Sequence, residues 1–104
     1  MNGFNDKGEK HGLHVEYYDN GNLMSRVNYV NGELHGLYES YYIDGNLDYR
    51  GNYFNGKLNG LFELYYSNGK LANKINYVNG KKHGLSEWYI YSEDINLRNL
   101  EFFL

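Results

Sequence analysis

The stretch of sequence that decides the fold spans residues 29–48 and reads YVNGELHGLYESYYIDGNLD. It sets Asn31-Gly32 and Asp44-Gly45 between runs of aromatic and aliphatic residues. Asn-Gly and Asp-Gly are the strongest short-range hairpin signals, because a type I′ turn needs positive φ at both of its central residues. The stretch therefore predicts β-hairpins.

The pattern of this stretch recurs along the chain with a period of 24 residues. A glycine followed by leucine marks each recurrence, at Gly12, Gly36, Gly60 and Gly84. A fixed period of this length is typical of repeat proteins, in which each unit is one supersecondary element stacked on its neighbours. We expect a single domain, residues 1–104, of about four hairpin units: 12–35, 36–59, 60–83 and 84–104.

Pairing within the hairpins follows if Asn20-Gly21 is a two-residue turn, which places Tyr18 opposite Leu23. The same rule sets three glutamates opposite cations, namely Glu39 opposite Arg50, Glu63 opposite Lys74 and Glu87 opposite Arg98. Opposed charges directly across an antiparallel pair stabilise it by roughly 0.2 to 1 kcal/mol. The predicted strands cover residues 13–19, 22–30, 37–43, 46–54, 61–67, 70–78, 85–91 and 95–103, with a partial strand at 2–6. The predicted fold is all-β, an antiparallel single-layer β-meander of roughly 35 Å, at roughly 4.8 Å per strand.

The register also sorts the side chains, because alternate residues of a strand point to opposite faces. One face is predicted to be apolar, and Val27, Tyr38, Phe62 and Ile75 are among its members. The other is predicted to be mixed, because it carries the charge pairs together with a row of tyrosines, namely Tyr17, Tyr41, Tyr65 and Tyr89. No segment has a helical period long enough to cover the apolar face.

Composition excludes several classes of function. The chain has no cysteine, which rules out disulfides, thiolate nucleophiles and zinc sites built on cysteine. Its net charge of −3 argues against direct binding of nucleic acid, which depends on clustered Lys and Arg. No run approaches the roughly 20 apolar residues that span a bilayer. We expect a cytoplasmic protein that binds neither nucleic acid nor membranes.

The residue types that most often serve in catalysis or metal binding, such as histidine and glutamate, recur at fixed positions of the 24-residue repeat. His11, His35 and His83 share one slot, and equivalent positions in stacked hairpins lie about 9 to 10 Å apart. Ligands of one zinc must all lie within about 2 Å of the metal, so these histidines are predicted to be loop residues. The glutamates form a charge ladder, and no serine has the histidine and acid of a triad. No catalytic residue, metal site or cofactor is therefore predicted.

The recurring pattern resembles a known family. It reads Tyr-x-Asn-Gly-x-x-His/Asn-Gly-Leu, then Tyr-Tyr and Asn/Asp-Gly-x-Leu, over residues from about 8 to 103. This resembles the MORN repeat, and more closely its bacterial variant. The resemblance implies an elongated β-hairpin rod with a non-enzymatic binding or scaffolding role, and bacterial members are often described as antitoxin-like.

Partner binding is predicted on exposed aromatic residues, because tyrosine and tryptophan are enriched at interface hot spots. The apolar C-terminal strand would also leave an open sheet edge, which invites pairing with another chain. The candidate residues are Tyr17, Tyr41, Tyr65, Tyr89, Trp88, Tyr91, Phe102 and Phe103. We expect a protein partner, with a nucleic-acid-processing enzyme as one candidate and a homodimer through the C-terminal edge as another.

The function predicted from these features is that of a small inhibitor or antitoxin-like factor. A phage or mobile-element antagonist of a bacterial defence nuclease is its most specific form. The alternatives are a self-assembling structural scaffold and a protein that binds lipid surfaces, the last of which would need a basic face.

Overall fold

The structure, a computed structural model, describes residues 2–91 and 96–104 and consists of one thin antiparallel sheet. Its extents are 54 × 40 × 10 Å, and the eight strands follow one another in sequence order. The predicted all-β single-layer meander is thereby confirmed. None of the described residues forms a helix that could cross a membrane. The strands are β1 (Gly12–Tyr17), β2 (Leu23–Val30), β3 (Glu33–Tyr41), β4 (Leu47–Phe54), β5 (Lys57–Tyr65), β6 (Leu71–Val78), β7 (Lys81–Tyr91) and β8 (Asn96–Phe103).

Two kinds of turn alternate along the sheet. Asn31-Gly32 is a two-residue turn with φ of 47° and 85°, as type I′ requires. The prediction of the same turn at Asn20-Gly21 is wrong, because only Gly21 has positive φ there. The backbone N–H groups of Gly21 and Tyr18 donate to the carbonyls of Tyr18 and Asn22 respectively, which closes a three-residue loop ending in a left-handed glycine. Tyr17, not Tyr18, consequently lies opposite Leu23.

In the second, third and fourth units, the glycine that marks the repeat lies in a β-bulge inside a strand. The segment 31–36, predicted to be a loop, enters β3 at Glu33. Val27 pairs with Tyr38 and Tyr29 with Leu34, so residues 35–37 face a single residue of β2. Gly36 permits this bulge by adopting a left-handed backbone conformation, with φ of 91°. The prediction that His35 and His83 are loop residues is therefore wrong, since both lie in strands beside such a bulge.

The predicted charge pairing is confirmed in the second and third units and wrong in the fourth. Glu39 lies opposite Arg50, and Glu63 lies opposite Lys74. In the last hairpin, however, Glu87 lies opposite Leu100, whereas Arg98 lies opposite Tyr89. The β7–β8 pairing runs from Gly84 to Tyr91 without the bulge of the earlier hairpins, and β8 is displaced by two residues from the register that the repeat predicts.

Two sequence predictions near the chain ends have separate outcomes. Of the partial strand predicted at 2–6, the structure contains only an isolated bridge between Phe4 and Lys10. The turn that the strand bounds 85–91 and 95–103 predict, and residue 95 at the predicted start of the last strand, lie outside the described residues.

The sheet has two unlike faces, which we name by their content. The aromatic face holds the buried residues Val27 and Ile75 together with rings packed on one another, for example Tyr49 against Tyr38 and Phe62. This confirms the predicted apolar face. The charged face carries the Glu, Arg and Lys residues of the ladder. Because the sheet is a single layer, even the aromatic face buries few side chains completely.

Hydrogen bonds between units hold the hairpins in line. The hydroxyls of Tyr18, Tyr42 and Tyr66 each donate to the backbone carbonyl 23 residues further along, at distances of 2.6, 2.7 and 2.6 Å. Each bond joins the tip of one hairpin to the first strand of the next unit. This row of Tyr18, Tyr42 and Tyr66 is therefore structural, because its hydroxyls satisfy carbonyls at or near the ends of β3, β5 and β7.

Candidate protein-binding surface

The predicted partner-binding residues are divided between the two faces. Trp88 and Phe103 lie on the aromatic face and are half-buried, with the Lys82 ammonium 5.3 Å from the Phe103 ring centre. The remaining predicted residues lie on the charged face or at its rim: Tyr17, Tyr41, Tyr65, Tyr89, Tyr91 and Phe102. The structure therefore does not assemble all eight into one site.

The tyrosine row of the charged face is less exposed than predicted. Tyr17 is 61% exposed, whereas Tyr41, Tyr65 and Tyr89 are half-buried. Tyr89 stacks against Tyr91 at 6.3 Å between ring centres and donates its hydroxyl to the Glu87 carboxylate. Only the first member of the row therefore offers most of its ring to a partner.

Three phenols of this row, those of Tyr41, Tyr65 and Tyr89, have raised pKa values. Burial raises the pKa of Tyr41 and Tyr65, and the neighbouring carboxylates of Glu39 and Glu63 raise it further. For Tyr89 the hydrogen bond to Glu87 is the largest cause of a raised pKa, followed by burial. At neutral pH these three hydroxyls are uncharged hydrogen-bond donors.

A ladder of alternating charge crosses the charged face from strand to strand. At its centre the Arg50 Nε lies 2.8 Å from Glu63 Oε1, and this hydrogen bond raises the pKa of the Arg50 guanidinium. The Arg50 side chain is 45% exposed, against 13% for Glu63, so the cation projects further from the sheet than the anion. The ladder comprises Arg26, Glu39, Arg50, Glu63, Lys74 and Glu87, each directly across from the next.

An exposed apolar stripe runs beside this ladder on the same face. Its members lie toward the type I′ turns, and Leu37, Leu61 and Leu85 face Asn52, Asn76 and Phe102 across the strands. Single exposed apolar residues are ordinary, but a contiguous row of them marks a surface for interaction. The members that are more than a third exposed are Val30, Leu37, Phe54, Val78, Leu85 and Phe102.

The two edges of the sheet differ. At β1, the Asn2 side chain accepts a hydrogen bond from Val15 N at 2.8 Å and donates to Val15 O at 3.3 Å. Gly3 O accepts from His11 N at 3.0 Å and lies 2.6 Å from His14 Nε2. The N-terminal segment thus occupies the backbone hydrogen-bonding groups of Val15 at the β1 edge and contacts the residues on either side of it.

The edge strand at the other end is β8, which pairs with β7 on one side only in the part of the chain that the structure describes. Leu100 is 50% exposed and Phe102 is 66% exposed, and both project from the charged face. A strand edge with unpaired backbone groups beside apolar side chains is a template for pairing with another chain. We call this region, β8 with Leu85, Leu100 and Phe102, the β8 end.

Sequence reasoning missed Leu85 and Leu100 as members of this surface. A signal for Leu100 was present, because it occupies the repeat slot filled by Asn28, Asn52 and Asn76 in the earlier units. An apolar residue replacing asparagine in one unit alone indicates a local change of surroundings.

Across residues 2–91 and 96–104, no three His, Asp or Glu side chains cluster as metal ligands.

Comparison with known proteins identifies three matches to one family model, described as MORN repeat variant. The matched segments are residues 10–31, 34–55 and 58–79, which together span more than half of the chain. Each contains one three-residue turn and ends at or beside a type I′ turn. No curated protein and no solved structure matches the chain.

Proposed function

The chain belongs to the MORN repeat variant family, and from that premise we propose that it is a non-catalytic module that binds another protein at the β8 end. The observation that carries the proposal is the difference between the two edges. The β1 edge is occupied by the Asn2 side chain and Gly3, whereas the β8 edge lies beside Leu100 and Phe102.

The β8 end suits a partner that supplies an extended strand. Strand addition draws affinity from main-chain hydrogen bonds and specificity from alternate side chains. On the charged face, Phe102 and Leu85 lie directly opposite each other across β7 and β8, which gives the incoming strand a continuous apolar contact. An aromatic anchor of this kind is the usual centre of a binding hot spot.

We propose that the module inhibits its partner by covering a surface of it. A protein with a docking end and no metal-ligand cluster among its described residues would act by occlusion, as an antitoxin-like factor does. The specific form we propose is a phage or mobile-element antagonist of a bacterial nucleic-acid-processing enzyme, such as a defence nuclease.

A self-assembling scaffold is the second candidate, and the same free edge favours it. Two β8 strands could pair with each other in place of a partner strand. Light scattering over a concentration series separates the two functions, because the inhibitor can remain a monomer and the scaffold cannot.

Replacing Phe102 with aspartate is expected to reduce capture of the protein partner at least about tenfold, a difference of about 1.4 kcal/mol in binding. The cause is the placement of a charge in the apolar contact. The measurement is affinity capture from the native host, quantified by mass spectrometry. Phe4→Asp is the matched control, since Phe4 is 62% exposed at the opposite edge. Equal losses for both variants, or no loss for Phe102→Asp, would refute docking at the β8 end.

A further inference from the structure

One row of side chains on the charged face takes a single residue from each of the eight strands. Its two outermost members are apolar and its six inner members alternate in charge. In strand order the row reads Val15, Arg26, Glu39, Arg50, Glu63, Lys74, Glu87 and Leu100.

This row is complementary to itself when its order is reversed. Consider two copies of the chain related by a two-fold axis that runs parallel to the strands, between β4 and β5. This axis places β1 of one copy over β8 of the second copy, β2 over its β7, and so on toward the axis. Every cation of one copy then faces an anion of the other, and apolar residues face each other at both ends. The four facing combinations are Val15 with Leu100, Arg26 with Glu87, Glu39 with Lys74, and Arg50 with Glu63.

From this symmetry we propose that a second copy of the chain docks face to face on the charged face. Isologous contacts about a two-fold axis require a surface that is its own complement, which this row provides. The ion pair of Arg50 and Glu63 lies at the axis, where it meets its own symmetry mate. The four charges there alternate in sign, so neither copy presents a buried charge without an opposite one.

The neighbouring row adds one apolar contact at each end of the interface. Under the same operation Phe102 lies over Leu13 of the second copy, and the leucines of the stripe lie over asparagines. Asn28 and Asn76 donate their side-chain amides to Leu37 O and Leu85 O, each at 3.3 Å, so these donors retain a partner when covered. Even half of the 54 by 40 Å face is larger than the area of about 800 Å² that each partner buries in a typical stable interface.

The displaced register of β8 contributes to this complementarity. In the register predicted from the repeat, Arg98 would end the row and would lie over Val15 of the second copy. The observed register puts Leu100 in that position instead. An apolar contact therefore replaces a cation that would be desolvated without a partner.

Charge reversal within the row tests the proposal by sedimentation velocity over a concentration series. Arg26→Glu places like charges at Glu87 of the second copy, and Glu87→Arg does so at Arg26. Each variant alone is expected to weaken dimerisation at least about tenfold. An equimolar mixture of the two is expected to restore the wild-type dimer, because the introduced carboxylate of one variant then faces the introduced guanidinium of the other. Within one chain positions 26 and 87 are five strands apart, about 24 Å, so this rescue cannot be intramolecular.

Arg98→Glu is the matched control, because it makes the same change of charge outside the row and should leave dimerisation unaltered. A monomeric wild type at every concentration overturns the proposal. So does a dimer that Arg26→Glu leaves intact while Phe102→Asp dissociates it, which would assign the contact to the β8 edge. Capture of a different protein that Arg26→Glu abolishes would assign the face to that protein instead. Partner capture that survives Arg26→Glu supports docking at the β8 end independently.

Discussion

Substitution of Gly60 by valine is expected to lower the free energy of unfolding by about 3 kcal/mol. Gly60 lies in the bulge of β5 with φ of 100°, outside the region open to β-branched residues. Nothing lies within 4 Å of a side-chain carbon built on Gly60, so the penalty comes from the backbone conformation alone. The bulge separates the Tyr53–Leu58 pairing from the Gly51–Phe62 pairing, and Gly60 itself pairs with Tyr77, so its loss strains the pairing with both neighbouring strands.

A graded series at this position separates backbone strain from bulk. Urea unfolding should rank Gly60→Asn as mildest and Gly60→Val as most severe, since asparagine tolerates positive φ. Asn52→Val, at an exposed position of β4, controls for placing valine in a strand. If asparagine and valine at position 60 destabilised the sheet equally, the bulge would not depend on the left-handed conformation.

Substitution of Gly51 by valine is expected to lower the free energy of unfolding by about 2 kcal/mol, for a different reason. Gly51 is buried, and a side-chain carbon there would lie 2.6 Å from Phe62 Cδ1 and 3.0 Å from Leu58 Cδ2. Phe62 lies directly opposite and covers the glycine, as aromatic residues do when they compensate a glycine in a sheet.

The equivalent strand pair one repeat later suggests how to rescue this variant. There Ile75 occupies the slot of Gly51, and the residue opposite it is Ser86. Phe62→Ser combined with Gly51→Val should therefore recover stability, with a coupling energy of about 2 kcal/mol in a double-mutant cycle. Additive losses in urea unfolding would show that Phe62 does not fill the space above Gly51.

The sequence is sufficient to predict the architecture and most of the register. The 24-residue period and the Asn-Gly turns specify a hairpin meander, and the pairing of Glu39 with Arg50 follows from counting outward from a turn. The turn at Asn20-Gly21 is wrongly predicted because the dipeptide signals both a type I′ turn and a type I turn followed by a left-handed glycine. The outer register survives this error because the bulge beside the turn compensates for the longer loop.

The strand pairing of the last hairpin cannot be predicted from the 24-residue repeat. This hairpin lacks the Asn/Asp-Gly of the other units, so extrapolating the period places Arg98 opposite Glu87 when the pairing partner is Leu100. A two-residue displacement keeps every side chain on its predicted face, since the strand period is two. The faces are accordingly predicted correctly where the pairing is not.

The candidate surface is predictable only in part. Phe102 is predicted from the sequence to be a binding residue and is the most exposed ring of the β8 end. Tyr41 and Tyr65 are predicted alongside it, yet both are half-buried, and burial together with the Glu39 and Glu63 carboxylates raises the pKa of their hydroxyls. Such burial depends on how neighbouring strands pack, which local sequence spacing does not specify.

Docking at the β8 end is tested most directly by photo-crosslinking in the native host. A benzoylphenylalanine replaces Phe102 in one variant and Phe4 in the other, two rings of nearly equal exposure at opposite edges of the sheet. We predict that position 102 forms a covalent adduct with a protein other than this chain, and that position 4 does not. Adducts with the same protein in equal yield from both positions, or adducts from position 4 alone, would contradict the account.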